Sequence, residues 1–330
     1  MMKTLRAPFK FSCALAYLRS GLCVVAIGII GLGVGGCDAP EAASVDEQPN
    51  VVATSTILSD WAEQIGGEQI NLTGILNPGD DPHVYEPTPR DSRTFEEADL
   101  IFYNGYNLEP GLIRLMNAAG TNAVKVAVGE VVTPLQLEQE GQTVPDPHVW
   151  GSAENAIVMV EAIRDSLIEL SPAQQAEFDQ NADRLIAELE QLHTWIQQQT
   201  ATIPPNQRQL VTTHDAFQYY ARAYGLTVPG TLIGISTEEQ PSAQTIQQLV
   251  DRLRNLQVPA IFAETTINPQ LISTVAEEAG VQLAEEELYS DSIGAPGSNA
   301  DSYVKMMEAN TRTIVENLGG TYTPFDSPES

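Results

Sequence analysis

The stretch SPAQQAEFDQNADRLIAELEQLHTWIQQQTATIPP, residues 171–205, is the longest helical pattern in the chain, and the rest is arranged around it. Ser171 suits an N-cap, and Pro172 suits a first helical position, where a missing N–H deprives no carbonyl of a partner. Phe178, Leu185, Leu189, Leu192 and Ile196 recur at the spacing of one helix face. Pro204-Pro205 ends the run, because proline lacks the donor and clashes with the preceding turn. The spacing predicts one long, rigid helix over 172–203.

Outward from that helix, strands and helices alternate on both sides. Toward the N-terminus, short apolar strands at 51–55, 70–76, 100–103 and 124–128 are interleaved with helical patterns at 58–65, 93–98 and 108–119. A polar loop at 136–147 leads into a helix over 152–170. Toward the C-terminus, strands at 210–211 and 260–263 alternate with helices at 214–224, 243–256, 269–279 and 303–318. Such alternation favours parallel sheets covered by helices. The expected fold class is α/β. Two lobes, 51–171 and 204–330, are each a mostly parallel sheet flanked by helices, joined by the long helix. The halves show no close repeat. Ligands of open α/β sheets settle beyond the carboxyl ends of the strands, so those loops are where chemistry should be sought.

The first 36 residues read as a targeting segment. Lys3, Arg6, Lys10 and Arg19 make a basic start, no acidic residue precedes Asp38, and an apolar run at 22–34 ends in Val34-Gly35-Gly36-Cys37. Small residues before a cysteine at such a place resemble the lipobox of bacterial lipoproteins. The resemblance implies cleavage after Gly36 and lipid attachment at Cys37. The run is short of the ~20 residues of a spanning helix. Cys13 and Cys23 would leave with the signal, so no cysteine remains for a disulfide, and the domain must fold on its apolar core. Residues 37–50 lack periodicity and read as a flexible tether. Beyond Cys37, 12 basic face 44 acidic groups, a formal charge of −32. That field argues against nucleic acid and anionic lipid surfaces as partners and concentrates cations.

Three of the four histidines stand in suggestive loops. His83 lies in Asp81-Pro82-His83, His148 in Asp146-Pro147-His148, and His214 in Thr212-Thr213-His214-Asp215 after a short strand. Proline fixes its own φ and extends the preceding residue, so each Asp-Pro-His presents its imidazole on a stiff backbone. Asp81 and Asp146 are placed to accept a hydrogen bond from imidazole or backbone. With Asp291 in a further loop, three imidazoles and a carboxylate would make a nitrogen-rich site suited to tetrahedral Zn²⁺, whereas Mn²⁺ would call for both Asp291 oxygens. Each residue alone has a plainer reading: a surface or hydrogen-bonded histidine, or a turn or cap aspartate. His193 reads as a surface or packing residue of the long helix. Glu264, ending a strand, stands open between ligand, helix cap and acceptor behind a ligand.

Taken together, the segments at 79–89, 146–150, 211–226 and 288–318 resemble the zinc/manganese solute-binding lipoproteins of ABC importers, the cluster A-I family. The resemblance spans nearly all of the chain after Cys37. It implies two α/β lobes with a single ion in the cleft, held by His83 and His148 from the first lobe and His214 and Asp291 from the second. Many manganese binders of the family carry Glu where this chain has His214, whereas zinc binders and some dual binders carry His, which leans toward zinc. Against that, many zinc members carry a histidine-rich loop before the second ligand, and here 136–147 holds no histidine. The run Gly151-Ser152-Ala153-Glu154-Asn155 also departs from the family's Leu-Asp-Pro-like run, which bears on helix capping more than on the ligand.

The expectation is a monomeric receptor outside the cytoplasm, anchored by lipid at Cys37. It captures Zn²⁺ or Mn²⁺, zinc being favoured, and hands it to an ABC importer permease without chemistry. Affinity is expected to fall below about pH 6 as imidazole protonates. One rival is a secreted zinc hydrolase, although no His-Glu-x-x-His pattern or evident general base accompanies the histidines. Another is a lipid-anchored adhesin with incidental metal binding, which surface attachment rather than uptake would reveal.

Overall fold

The computed structural model describes residues 48–139 and 141–326. The targeting segment, Cys37 and most of the tether lie outside them. The described residues belong to one compact unit, with a four-stranded sheet on the N-terminal side of the long helix and a smaller sheet on its C-terminal side.

The first sheet contains β1 (Asn50–Ala53), β2 (Asn71–Gly74), β3 (Leu100–Tyr103) and β4 (Val124–Ala127), all parallel, in the order β2-β1-β3-β4. Its two central strands are continuous apolar runs, Val51-Val52-Ala53 and Leu100-Ile101-Phe102, because helices cover both faces. Those helices are α1 (Thr56–Gly66), α2 (Pro89–Glu96) and α3 (Pro110–Ala118). Ser55 caps α1 by accepting the N–H of Leu58, and Thr88 with Asp91 forms a capping box on α2. The strand order reverses between β1 and β3, which opens a crevice past their carboxyl ends.

The polar loop expected at 136–147 contains a hairpin, β5 (Gln136–Gln139) and β6 (Gln142–Pro145), turning at Gly141 with φ +78°. Then come α4 (Ala153–Leu170) and α5 (Gln175–Ala201). The long helix starts later than Pro172. Residues Pro172–Gln174 make a 3-10 turn, and Ser171 supplies its carbonyl to the N–H of Gln174 rather than a side-chain cap. Phe178, Leu185, Leu189, Leu192 and Ile196 are all buried, as their spacing required.

Beyond α5 lie α6 (Gln218–Tyr224), α7 (Ala243–Leu256), β7 (Ala260–Ile261), α8 (Gln270–Ala279), β8 (Gln282–Leu283) and α9 (Tyr303–Asn317). The second sheet is short but parallel: β7 pairs β8, Phe262 N–H reaches Val211 O, and Leu210 N–H reaches Thr227 O. The strand expected at 210–211 takes part through these bonds without forming a full ladder. The helix expected from His214 begins only at Gln218, because the intervening backbone is committed elsewhere. His214 N–H goes to Glu264 Oε1, and Asp215 N–H goes to Gly234 O.

Candidate metal centre

His83, His148, His214 and Asp291 converge, with one ligand atom from each lying within 4.8 Å of all the others. Nε2 of His83 is 3.2 Å from Nε2 of His148. Asp291 Oδ1 is 3.6 Å from Nε2 of His148, and Oδ2 is 3.3 Å from Nε2 of His214. A tetrahedral zinc with bonds of about 2.0–2.1 Å would require ligand–ligand edges of about 3.3–3.4 Å. These three separations lie near that value, with Asp291 turning a different oxygen to each of two imidazoles. His148 and His214 are fully buried, Asp291 is 1% exposed and His83 4%.

The loops sit where strand ends put them. His83 follows β2 through the Asn77-Pro78-Gly79 turn, with Gly79 at φ +90°, a conformation that favours glycine. His214 follows Val211, and Glu264 follows Phe262-Ala263 in the second sheet. Asp291 lies just past Leu288, which pairs with Glu264 in an isolated parallel bridge.

The two Asp-Pro-His tripeptides work differently. Asp146 Oδ1 accepts the backbone N–H of His148 at 3.0 Å and meets its ring Nδ1 at 2.7 Å, which leaves Nε2 with its lone pair toward the cluster. Asp81 accepts only the backbone N–H of His83, at 2.9 Å, and its other oxygen takes the hydroxyl of Thr237 at 2.6 Å. Glu264 stands behind His214: Oε1 takes its backbone N–H, and Oε2 lies 2.5 Å from its Nδ1. His193 takes no part in the cluster; it contacts Gln197 at 2.8 Å on the face of α5.

Burial drives the His83 pKa down to about 3, helped by the neighbouring imidazoles against the pull of Asp291. Burial also acts to lower His214, but Glu264 and Asp291 on its two sides outweigh it and hold the imidazole well above its ordinary value. For Asp291, burial acts upward, and the facing imidazoles overcome it and keep the carboxyl well below its usual range. Asp81 is raised by burial and by the charge of Asp291. The cluster is thus a compact electrostatic unit in which the charge of Asp291 and those of the imidazoles shift one another.

Beside His83 a cleft of about 540 Å³ opens, lined among others by Tyr106, Glu130, Ile235, Ser236 and Glu238. Contacts absent from the sequence reading are those of Thr237, Thr56, Ser292 and the indole of Trp150. Only the position of Thr56, just past the carboxyl end of β1, gave a signal.

A family model described as ZnuA, zinc-uptake complex component A, periplasmic, matches residues 51–317. The chain is 35% identical over 295 residues to the manganese-binding lipoprotein MntA of Halalkalibacterium halodurans, covering 88% of this chain and 96% of that one. It is 33% identical over 305 residues to the metal ABC transporter substrate-binding lipoprotein ScbA of Streptococcus cristatus, covering 90% and 97%. The fold superimposes on the periplasmic zinc binding protein TroA from Treponema pallidum with a TM-score of 0.78, at 33% identity, over 82% of this chain and 99% of that one.

Proposed function

The chain belongs to the ZnuA family of metal-binding substrate-binding proteins of ABC importers, and from that premise we propose that His83, His148, His214 and Asp291 hold its cargo ion. The observation that carries this is the convergence of four buried donor groups from four distant loops onto one point. The donor set is three imidazole nitrogens and a carboxylate, which suits zinc best, and the names of the similar proteins include zinc, manganese and iron. Zinc is the favoured cargo. Four protein ligands fill a tetrahedral ion, whereas hydrolytic zinc keeps one position open for water, which supports capture over catalysis.

Residues 51–171 and 204–330 act as the two lobes that supply the ligands. One chain completes the site, in keeping with a monomer. Attachment by lipid at Cys37, outside the cytoplasm, is supported by the Val34-Gly35-Gly36-Cys37 motif and by lipoprotein relatives. No helix among the described residues is long and apolar enough to cross a membrane. The partner is the permease of an ABC importer.

Titration of the purified protein with Zn²⁺ and Mn²⁺ against a chelating dye tests the site. His148→Ala should weaken both ions, and an unchanged high-affinity isotherm in that variant would refute the assignment. Elemental analysis of protein purified without added metal, paired with uptake by a deletion strain, identifies the cargo. Zinc outcompetes manganese at most protein sites, so bound zinc alone does not decide it.

A further inference from the structure

The side chain of Asp291 meets no group outside the cluster. Both oxygens are buried and face only the imidazoles of the cluster. Its aim is therefore set through the backbone on either side, and that backbone is pinned in an unexpected direction. Ser290 O accepts the indole N–H of Trp150 at 2.9 Å. Ser292 Oγ accepts the N–H of Gly79 at 2.9 Å and lies 3.3 Å from Thr56 Oγ1. Thr56 Oγ1 accepts the N–H of Ile293 at 3.1 Å, while Ser292 donates to Ile293 O. Every donor and acceptor in this set is satisfied if the Thr56 hydroxyl donates to Ser292.

All of the partners, Thr56, Gly79 and Trp150, come from the N-terminal half, although Asp291 belongs in sequence to the C-terminal half. The Asp291 segment is thereby tied to the N-terminal half through residues 290–293, and to the second sheet through Leu288. We propose that Thr56, acting with Ser292, is a positioning residue that holds Asp291 with both carboxylate oxygens toward the ion and so sets the discrimination between zinc and manganese. The inference rests on Asp291 being a ligand. The carboxylate spans the gap between two imidazoles, Oδ1 toward His148 and Oδ2 toward His214. A small rotation withdraws one oxygen. Zn²⁺ tolerates that, since three nitrogens and one oxygen complete a tetrahedron, but Mn²⁺, which favours oxygen-rich spheres, does not.

The experiment compares Zn²⁺ and Mn²⁺ dissociation constants, by dye competition, for the wild type, Thr56→Val, Thr56→Ser, Ser292→Ala and Asp291→Ala. Thr56→Val keeps the shape and removes the hydroxyl. It should weaken Mn²⁺ about 10–100-fold, the usual effect of losing a partner behind a ligand, and Zn²⁺ several-fold less. Thr56→Ser should restore the wild-type ratio, and the visible spectrum of bound Co²⁺ should change in the valine variant and revert in the serine one. A merely structural role would weaken both ions equally and leave the ratio unchanged; that result overturns the proposal. Should Thr56→Val fail to fold, Ser292→Ala must show the same shift of ratio, and its absence there overturns the proposal equally. Asp291→Ala separates the two readings: wild-type binding in that variant removes Asp291 from the site altogether, whereas lost binding there with an unshifted ratio in Thr56→Val defeats the positioning role alone.

Discussion

Oδ1 of Asp146 lies 2.7 Å from Nδ1 of His148, two residues further along the chain, and the same oxygen holds that histidine's backbone N–H. One carboxylate thus fixes both the position and the tautomer of an imidazole. Asp146→Ala should weaken metal binding about 10–100-fold, and Asp146→Asn, which keeps an uncharged acceptor, by less. Equal affinity of Asp146→Ala and wild type in dye competition would mean that the ring is oriented by something else.

A proton on His214 competes with the cargo. Its pKa is held well above the ordinary imidazole value by Glu264 and Asp291, so an ion has a proton to displace up to a higher pH than at a free imidazole. Affinity therefore rises with pH through the neutral range and starts to decline at higher pH than a free imidazole would dictate. His83, pushed down to about 3, adds no proton above pH 4. Calorimetry at pH 7 in two buffers of different ionisation enthalpy should show about one proton released per ion. A heat independent of the buffer would contradict it.

Glu109 gives a pH dependence of a different kind. It is buried, accepts from Thr54 Oγ1 at 2.9 Å and Asn104 N–H at 2.7 Å, and its pKa is raised to about 7, chiefly by burial. The folded protein keeps this proton where the unfolded chain has lost it. Stability from this group is complete below the unfolded value near 4.5 and is lost as pH climbs toward 7. The change amounts to roughly 3 kcal/mol. Urea unfolding at pH 5 and pH 8 should show a steeper loss in the wild type than in Glu109→Gln, and parallel behaviour would count against it.

Leu189 is fully buried at the middle of α5. Leu189→Ala should lower unfolding free energy by about 2–5 kcal/mol through lost burial and the cavity left behind. The folded population should keep its affinity for metal, a distinction that thermal melts with and without saturating Zn²⁺ can make.

Much of this was legible because it is local or periodic. The buried face of α5 follows from residue spacing, and the three loop histidines stand out because so few histidines exist in the chain. What was hidden depends on neighbours distant in sequence. Identical Asp-Pro-His tripeptides diverge because Thr237, 156 residues beyond Asp81, offers it a hydroxyl, whereas Asp146 turns to its own histidine. The late start of α6 reflects Glu264 taking the His214 N–H from 50 residues away. The contacts of Thr56 were hidden for the same reason, since Ser292 and Ile293 lie 236 and 237 residues off. Ser171 satisfied the composition of a cap, but the 3-10 turn used its carbonyl.

Trp61 of α1, Leu189 and Ile196 of α5 and Tyr303 of α9 belong to a single apolar core that runs through both halves of the chain. Prising those halves apart far enough to wet ~400 Å² of it would cost about 10 kcal/mol, comparable to the whole stability of an ordinary domain. A wide clamshell motion is therefore closed to this molecule. Loaded and unloaded forms must share nearly the same outline, and a permease that tells them apart has to feel the rim around His83 rather than a change of shape.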